Sequence, residues 1–268
     1  MLNGLDLFSG IGGLSLALAP WVDPFAYCEN ERYAQSVLLS RMQDGQLPVA
    51  PIWDDVCTLV GKSLPRIDIL YGGFPCQDIS VAGTGKGLAG KRSGLVFELL
   101  RLCEETKPAF IFLENVPGIR TRGGEQVGKA LAALGYDCRW DIVSALEVGA
   151  PHKRERWFLL AHAHGPRLQV PRRDEIKADK SRKIIPDRYP GLSDACEVSL
   201  QPRGISAEFC VQESFWKKTH GELLRMDDGL SPQTHRIRAL GNAVVPLQAR
   251  EAFMRLMGIK KWNLSIII

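Results

Sequence analysis

The chain has 268 residues with 45% hydrophobic, 24% charged and 8% aromatic side chains, which is average globular usage and excludes a disordered, collagenous or coiled-coil chain. That length builds one large domain, or one domain with a smaller partner, around a sizeable core. The net charge of +4 is uneven, with 16 basic and 18 acidic residues over 1–164 but six basic and one acidic over 236–268, so a polyanionic partner and a merely solvated basic surface both fit the last third.

Up to residue 164, short apolar runs alternate with longer amphipathic ones. The run Gly4 to Phe8 predicts a strand, and Gly12 to Ala19 the helix after it. The turn between them, Ser9-Gly10-Ile11-Gly12-Gly13, offers backbone N–H groups to an anion and lets a ligand come close. Phe25 to Cys28 predicts a second strand, and the carboxylate of Glu29 follows it, 19 residues after Gly10, where a ribose-binding acid belongs. A dinucleotide fingerprint would need glycine at position 15, which is Ser15, so a nucleoside without pyrophosphate fits better. S-adenosylmethionine is such a ligand, and a tight strand-to-helix turn without any ligand is the other reading.

Glu31 to Met42 predicts a helix and Ile67 to Gly72 a strand, which runs into Gly72-Gly73-Phe74-Pro75-Cys76-Gln77. A cysteine at a strand exit can face a cleft as a nucleophilic thiolate, or it can be buried filler. Residues 77–94 hold five glycines with Lys86, Lys91 and Arg92, the composition of a cationic loop that could close on a phosphate-bearing substrate, or of a surface linker. Leu95 to Glu105 predicts a helix, and Ala109 to Glu114 a strand ending in Glu114-Asn115-Val116-Pro117-Gly118. A carboxylate there is a candidate general acid, with helix capping or a turn as the alternative.

Gly124 to Leu134 predicts a helix, and Cys138 to Val143 and Arg156 to His162 predict strands. Strand alternation would point Arg154 and Arg156 to one face, for phosphate or substrate, or simply for solvent at an edge. Strand followed by helix, repeated, implies a mostly parallel sheet covered on both faces, with ligands at strand C-terminal ends.

The rhythm stops over 165–235, which holds prolines at 166, 171, 186, 190, 202 and 232 and reads as a small loop-rich domain. Within it, Arg167 to Arg188 has eight basic against four acidic residues, Arg172 and Arg173 among them. Regularity resumes at Ala239, and Leu247 to Met257 fits an amphipathic helix that returns to the first domain. The division is therefore 1–164 with 236–268, and 165–235.

Seven cysteines, an odd number without a C-x-x-C pair, read as reduced thiols in a cytosol, with no metal site. The longest early uncharged stretch, Leu7 to Val22, has 16 residues and three glycines, which is neither signal peptide nor membrane span.

Five blocks, DLFSGIGG, GGFPCQ, ENVPG, the R-x-R after Pro151 and RALGNAVVP at 238–246, in this order and spacing, closely resemble the DNA (cytosine-5) methyltransferases. The resemblance covers about residues 3–164 and 236–257. It implies a Rossmann-like S-adenosylmethionine-dependent methyltransferase domain and, at 165–235, a small irregular target-recognition domain. By that resemblance Cys76 attacks C6 of a cytosine flipped out of duplex DNA, and Glu114 hydrogen-bonds the N3 and exocyclic amine edge and assists protonation. Arg154 and Arg156 match arginines near the cytosine and the catalytic loop. Glu29 would bind the ribose and Asp55 the adenine amine, Phe8, Gly10, Gly12 and Gly73 would line the cofactor pocket, and Asn242 would lie near the methionine moiety. His152 stands where glutamine is usual, and Asn30 where a bulky apolar residue often follows the ribose acid.

With this family come the expectations of a cytoplasmic monomer, associated with the nucleoid through DNA, and a cognate restriction endonuclease as a candidate partner. Lys86, Lys91, Arg92, Arg172 and Arg173 are the expected DNA contacts. Three other readings compete: an RNA cytosine methyltransferase of the same superfamily, a catalytically silent nucleic-acid-binding protein with this fold, and a thiol hydrolase pairing Cys76 with His152 or His162.

Overall fold

The computed structural model describes residues 1–75, 94–164, 241 and 243–259. Seven strands form one sheet: β1 (Leu2–Leu7), β2 (Val22–Cys28), β3 (Ile52–Trp53), β4 (Ile69–Gly73), β5 (Phe110–Asn115), β6 (Tyr136–Ser144) and β7 (Glu155–Ala163). Their order is β3-β2-β1-β4-β5-β7-β6. β7 runs antiparallel to both its neighbours, and the other strands point one way. The helices are α1 (Gly13–Leu18), α2 (Arg32–Gln43), α3 (Leu95–Thr106), α4 (Ile119–Arg122), α5 (Gly124–Ala133) and α6 (Pro246–Met257).

The central strands are near-continuous apolar runs because both sheet faces are covered. Leu5, Leu7, Leu70, Ile111, Leu113 and Leu159 face a cluster closed by Leu99 and Leu102 of α3 and Leu131 of α5. On the opposite face Ile69, Phe112, Phe158 and Leu160 meet Leu18 of α1 and Phe253 of α6. Phe112 stacks on Phe158 with ring centroids 5.7 Å apart and meets Phe253 edge-on at 5.2 Å, so α6 is fastened to the sheet by aromatic packing.

The expected α/β sheet, mostly parallel, is what forms. β2 is longer than its apolar run predicts, because Pro24 sits inside it. The register against β1 slips there, with Gly4 opposite Pro24 and Leu5 opposite Ala26. That bulge accommodates a residue that cannot donate to the ladder.

The antiparallel placement of β7 matters for the site. The β6–β7 connection spans only residues 145–154, too short for a helical crossover. A capping box at Ser144 and Glu147 folds its first half into a 3-10 turn over Ala145–Val148. β7 then enters the sheet beside β5 from the end where the parallel strands terminate.

Candidate active site

The C-terminal ends of β1, β2, β4 and β5 open into one cleft of about 540 Å³. Glu114 is the penultimate residue of β5 and is buried, at 8% exposure. Its direct partner across the ladder is Phe158. Arg156 lies on the diagonal two residues away, within reach of a long side chain, and its Nε donates to Glu114 Oε1 at 2.8 Å. Burial pushes the Glu114 carboxyl up to about 7, against the opposing pull of Arg156 and Arg154. A carboxyl poised near neutrality can hold and release a proton there.

β4 approaches Glu114 so closely that a Cβ on Gly73 would stand 2.8 Å from Glu114 Oε2, and only glycine leaves that oxygen its place. Asn115, also buried, donates from Nδ2 to the Phe74 carbonyl at 2.8 Å. This bond ties the end of β5 to the turn two residues before Cys76. In the sequence Asn115 is marked only by its place directly after the strand-ending carboxylate.

At the other end of the cleft, Glu29 follows β2. Its Oε2 accepts from the Gly10 N–H at 2.7 Å and its Oε1 from the Glu31 N–H at 2.8 Å. Both oxygens are held in orientation, and each keeps a lone pair for a ligand. Gly10, at φ 55, has open space where a Cβ would be. Phe8 also borders the cleft with left-handed backbone, φ 54, uncommon for a non-glycine residue. Asp55 borders it on the far side and accepts from the Cys57 N–H at 2.9 Å.

Gly12 departs from expectation. It is absent from the cleft lining, and at φ 83 its α-carbon faces Leu47 and Leu38. Close helix packing and the tight turn, not a ligand, require glycine there.

Beneath the glycine turn lies a buried polar group. Asp6 is fully buried and accepts from Ser15 Oγ at 2.6 Å, while Ser15 Oγ lies 2.7 Å from the Tyr71 hydroxyl. Burial pushes its carboxyl up to about 7, with Ser15 pulling the other way. Cys28 borders the cleft as well, but burial and then Glu29 push its thiol up to about 12, so it is inert at neutral pH.

The expectation that Arg154 and Arg156 share one face does not hold, because β7 starts only at Glu155. Arg156 turns to Glu114. Arg154 Nη2 donates to the carbonyls of Gly241 and Ala243, both at 2.7 Å, and Arg154 does not line the cleft. His162 pairs with Phe110 at the start of β5, about 13 Å along the strand from Glu114, so it is no partner for chemistry at this end. Cys76, Asn242, Lys86, Lys91, Arg92, Arg172 and Arg173 lie outside the described residues. Among the described residues no helix is long and apolar enough to cross a membrane, and no group of His, Cys, Asp or Glu is placed to hold a metal ion.

The sequence profile of the C-5 cytosine-specific DNA methylases matches residues 2–225. The type II methyltransferase M.CviJI of Paramecium bursaria Chlorella virus IL3A is 37% identical over 159 residues, 59% of this chain and 42% of its own length. The type II methyltransferase M.HhaI of Haemophilus parahaemolyticus is 32% identical over 194 residues, 69% of this chain and 58% of its own. The chain thus spans about half the length of these relatives. A crystal structure of a Spodoptera frugiperda DNMT2 mutant superposes with a TM-score of 0.59 at 15% identity, over 96% of this chain and 100% of the other, a likeness of fold.

Proposed function

The chain belongs to the C-5 cytosine-specific DNA methylase family, whose profile covers residues 2–225 of its 268, and from that premise we propose that it methylates C5 of cytosine in duplex DNA with S-adenosylmethionine as the donor. The observation that carries the reading is the buried Glu114–Arg156 pair, 2.8 Å apart, in a cleft that continues to Glu29.

The cofactor end fits the donor. A volume of about 540 Å³ is in the range of small-molecule sites. Glu29 presents an oriented carboxylate for ribose hydroxyls, Asp55 an acceptor for an amine, and Gly10 open space for close approach. Phe8 supplies an aromatic wall. When bound, S-adenosylmethionine supplies an electrophilic methyl group on its sulfonium.

In this mechanism the Cys76 thiolate adds to C6 of the extruded cytosine, forming the S–C6 bond and moving the electron pair of the C5–C6 bond toward C5. Glu114 in its acid form donates to N3 and so accommodates that charge. Arg156 holds the carboxyl in place and keeps its proton affinity from rising further. After C5 is methylated, the C5 proton passes to solvent water as the C5–H electron pair reforms the C5–C6 double bond and the S–C6 bond breaks to release the thiolate, and N3 returns its proton to Glu114.

Residues 165–235 lie between the catalytic blocks and are the segment proposed to read the target sequence, with Arg172 and Arg173 on phosphates. Lys86, Lys91 and Arg92, in the segment after Cys76, are the residues proposed to meet the DNA backbone there. A monomer in the cytoplasm, associated with the nucleoid through DNA and accompanied by a cognate endonuclease, completes the reading.

The test is transfer of labelled methyl groups to mixed-sequence duplex DNA and, in parallel, to tRNA, followed by base-resolution mapping of 5-methylcytosine. Methylcytosine at a defined DNA site is the expected result. Incorporation confined to RNA, or none in either, would overturn the proposal.

A further inference from the structure

Gln248, in the first turn of α6, is fully buried, and its Nε2 donates to two carbonyls, those of Val143 and Arg154, both at 2.6 Å. Val143 lies near the end of β6, and Arg154 ends the connection that leads into β7. Arg154 in turn donates from Nη2 to Gly241 and Ala243, in the segment that leads into the same helix. The contacts close a ring: return segment, Arg154 side chain, Arg154 carbonyl, Gln248, and back along α6 to the return segment. On its far side this segment abuts the glycine turn, since a Cβ on Gly13 would lie 2.9 Å from the Val244 carbonyl oxygen. Gly241, Ala243 and Val244 all line the cleft.

We propose that Arg154 and Gln248 are positioning residues for the cofactor end of the cleft, clasping Gly241, Ala243 and Val244 onto the β6–β7 hairpin, while Arg156 serves the base end. This deepens the reading of the site given above and rests on it. Two arginines separated by one residue, which the sequence presents as a pair, thereby make their hydrogen bonds at opposite ends of the cleft, although the charge of Arg154 still reaches Glu114. The polar character of the clasp has a specific purpose. A buried amide is unfavourable unless hydrogen-bonded, and Gln248 Oε1 and Arg154 Nε are both buried with no hydrogen-bond partner among the described residues. An apolar residue at 248 would avoid that penalty, so the amide's contribution lies in the two carbonyls that it joins.

Gln248→Met and Arg154→Lys test the clasp, because both leave the net charge unchanged. Calorimetric titration with S-adenosylhomocysteine is expected to show affinity at least about tenfold weaker in each, the loss of hydrogen bonds in a buried setting. The KM for S-adenosylmethionine should rise by the same factor, with kcat at saturating cofactor and the pH profile of kcat near wild type. Unchanged affinity, or a fall in kcat with affinity intact, would overturn the proposal and return Arg154 to the base end. Circular dichroism checks folding, and Arg154→Lys, at a half-buried position, carries the test if Gln248→Met does not fold. A wild-type protein that methylates DNA alongside unaffected variants sinks the clasp alone. A wild-type protein inactive on DNA sinks the functional reading, while the titration still decides the clasp.

Discussion

Replacing Arg156 by methionine removes the guanidinium from Glu114 while keeping an unbranched side chain of similar reach. The two groups are only 16% and 10% exposed as side chains, so their attraction is little screened by solvent. An opposite charge within hydrogen-bonding distance lowers a carboxyl pKa by about one to three units. Glu114 sits at about 7 with Arg156 in place. Its loss should therefore carry the carboxyl up by about one to three units, toward the lower part of that range because Arg154 still contributes.

In the proposed mechanism the protonated carboxyl is the working form, so the rate falls as pH rises through its pKa. The single-turnover rate of methyl transfer to duplex DNA, followed from neutral into alkaline pH, should show its descending limb displaced to higher pH by that amount. The height of the profile will drop as well, since an orienting contact is lost, but the position of the limb is the diagnostic quantity. Glu114→Gln should have no such limb. A limb that stays put in Arg156→Met, or that moves toward acid, would show that another group governs it and that Glu114 does not work as the acid.

Cys76→Ala should abolish methyl transfer while S-adenosylhomocysteine still binds with near wild-type affinity in calorimetry, because the thiolate acts on the base alone; transfer at an undiminished rate would rule out the nucleophile. Glu29→Ala should weaken cofactor binding by about 1.5 to 3 kcal/mol, the worth of hydrogen bonds to a charged group, and unchanged affinity would contradict the ribose role. Asp6 has a folded-state pKa raised from 3.8 to about 7, so its contribution to stability is fully present below the unfolded value and is lost as pH rises through about 7. Between those limits wild type should lose up to about 4 kcal/mol in urea unfolding from this group, and Asp6→Asn should have a flatter profile; equal slopes in the two proteins would mean that Asp6 ionises as freely as in the unfolded chain.

Much of this arrangement could be read from the sequence because its strands are buried on both faces. Runs such as Phe110-Ile111-Phe112-Leu113 need no alternation to identify them, and each ends at a residue with chemistry, Glu114 most plainly. β3 is not legible in the sequence because two residues between Pro51 and Asp54 have no period to detect, and it exists only through pairing with Tyr27 and Cys28. Gly12 and Gly10, glycines of one turn, look alike in sequence. Their roles divide only when the next element is placed: Gly10 turns its N–H to Glu29, and Gly12 turns its α-carbon to Leu38 and Leu47.

The two arginines show where a pattern rule ends. Alternation assigns residues i and i+2 to one face only while both belong to the strand. At Arg154 the chain is still leaving the short β6–β7 connection, and Ala145 already donates to its carbonyl, so its side chain follows the turn. That carbonyl also meets Gln248, 94 residues further along. No local feature of the sequence carries this information, because the acceptor is a backbone group and the donor lies far along the chain. The cleft wall formed by Gly241, Ala243 and Val244 is therefore complete only once α6 lies on the sheet, with Phe253 packed on Phe112 and Gln248 bonded to the carbonyls of Val143 and Arg154. A chain cut before residue 241 would keep Glu114, Arg156 and Glu29 yet lack the wall that faces Gly13.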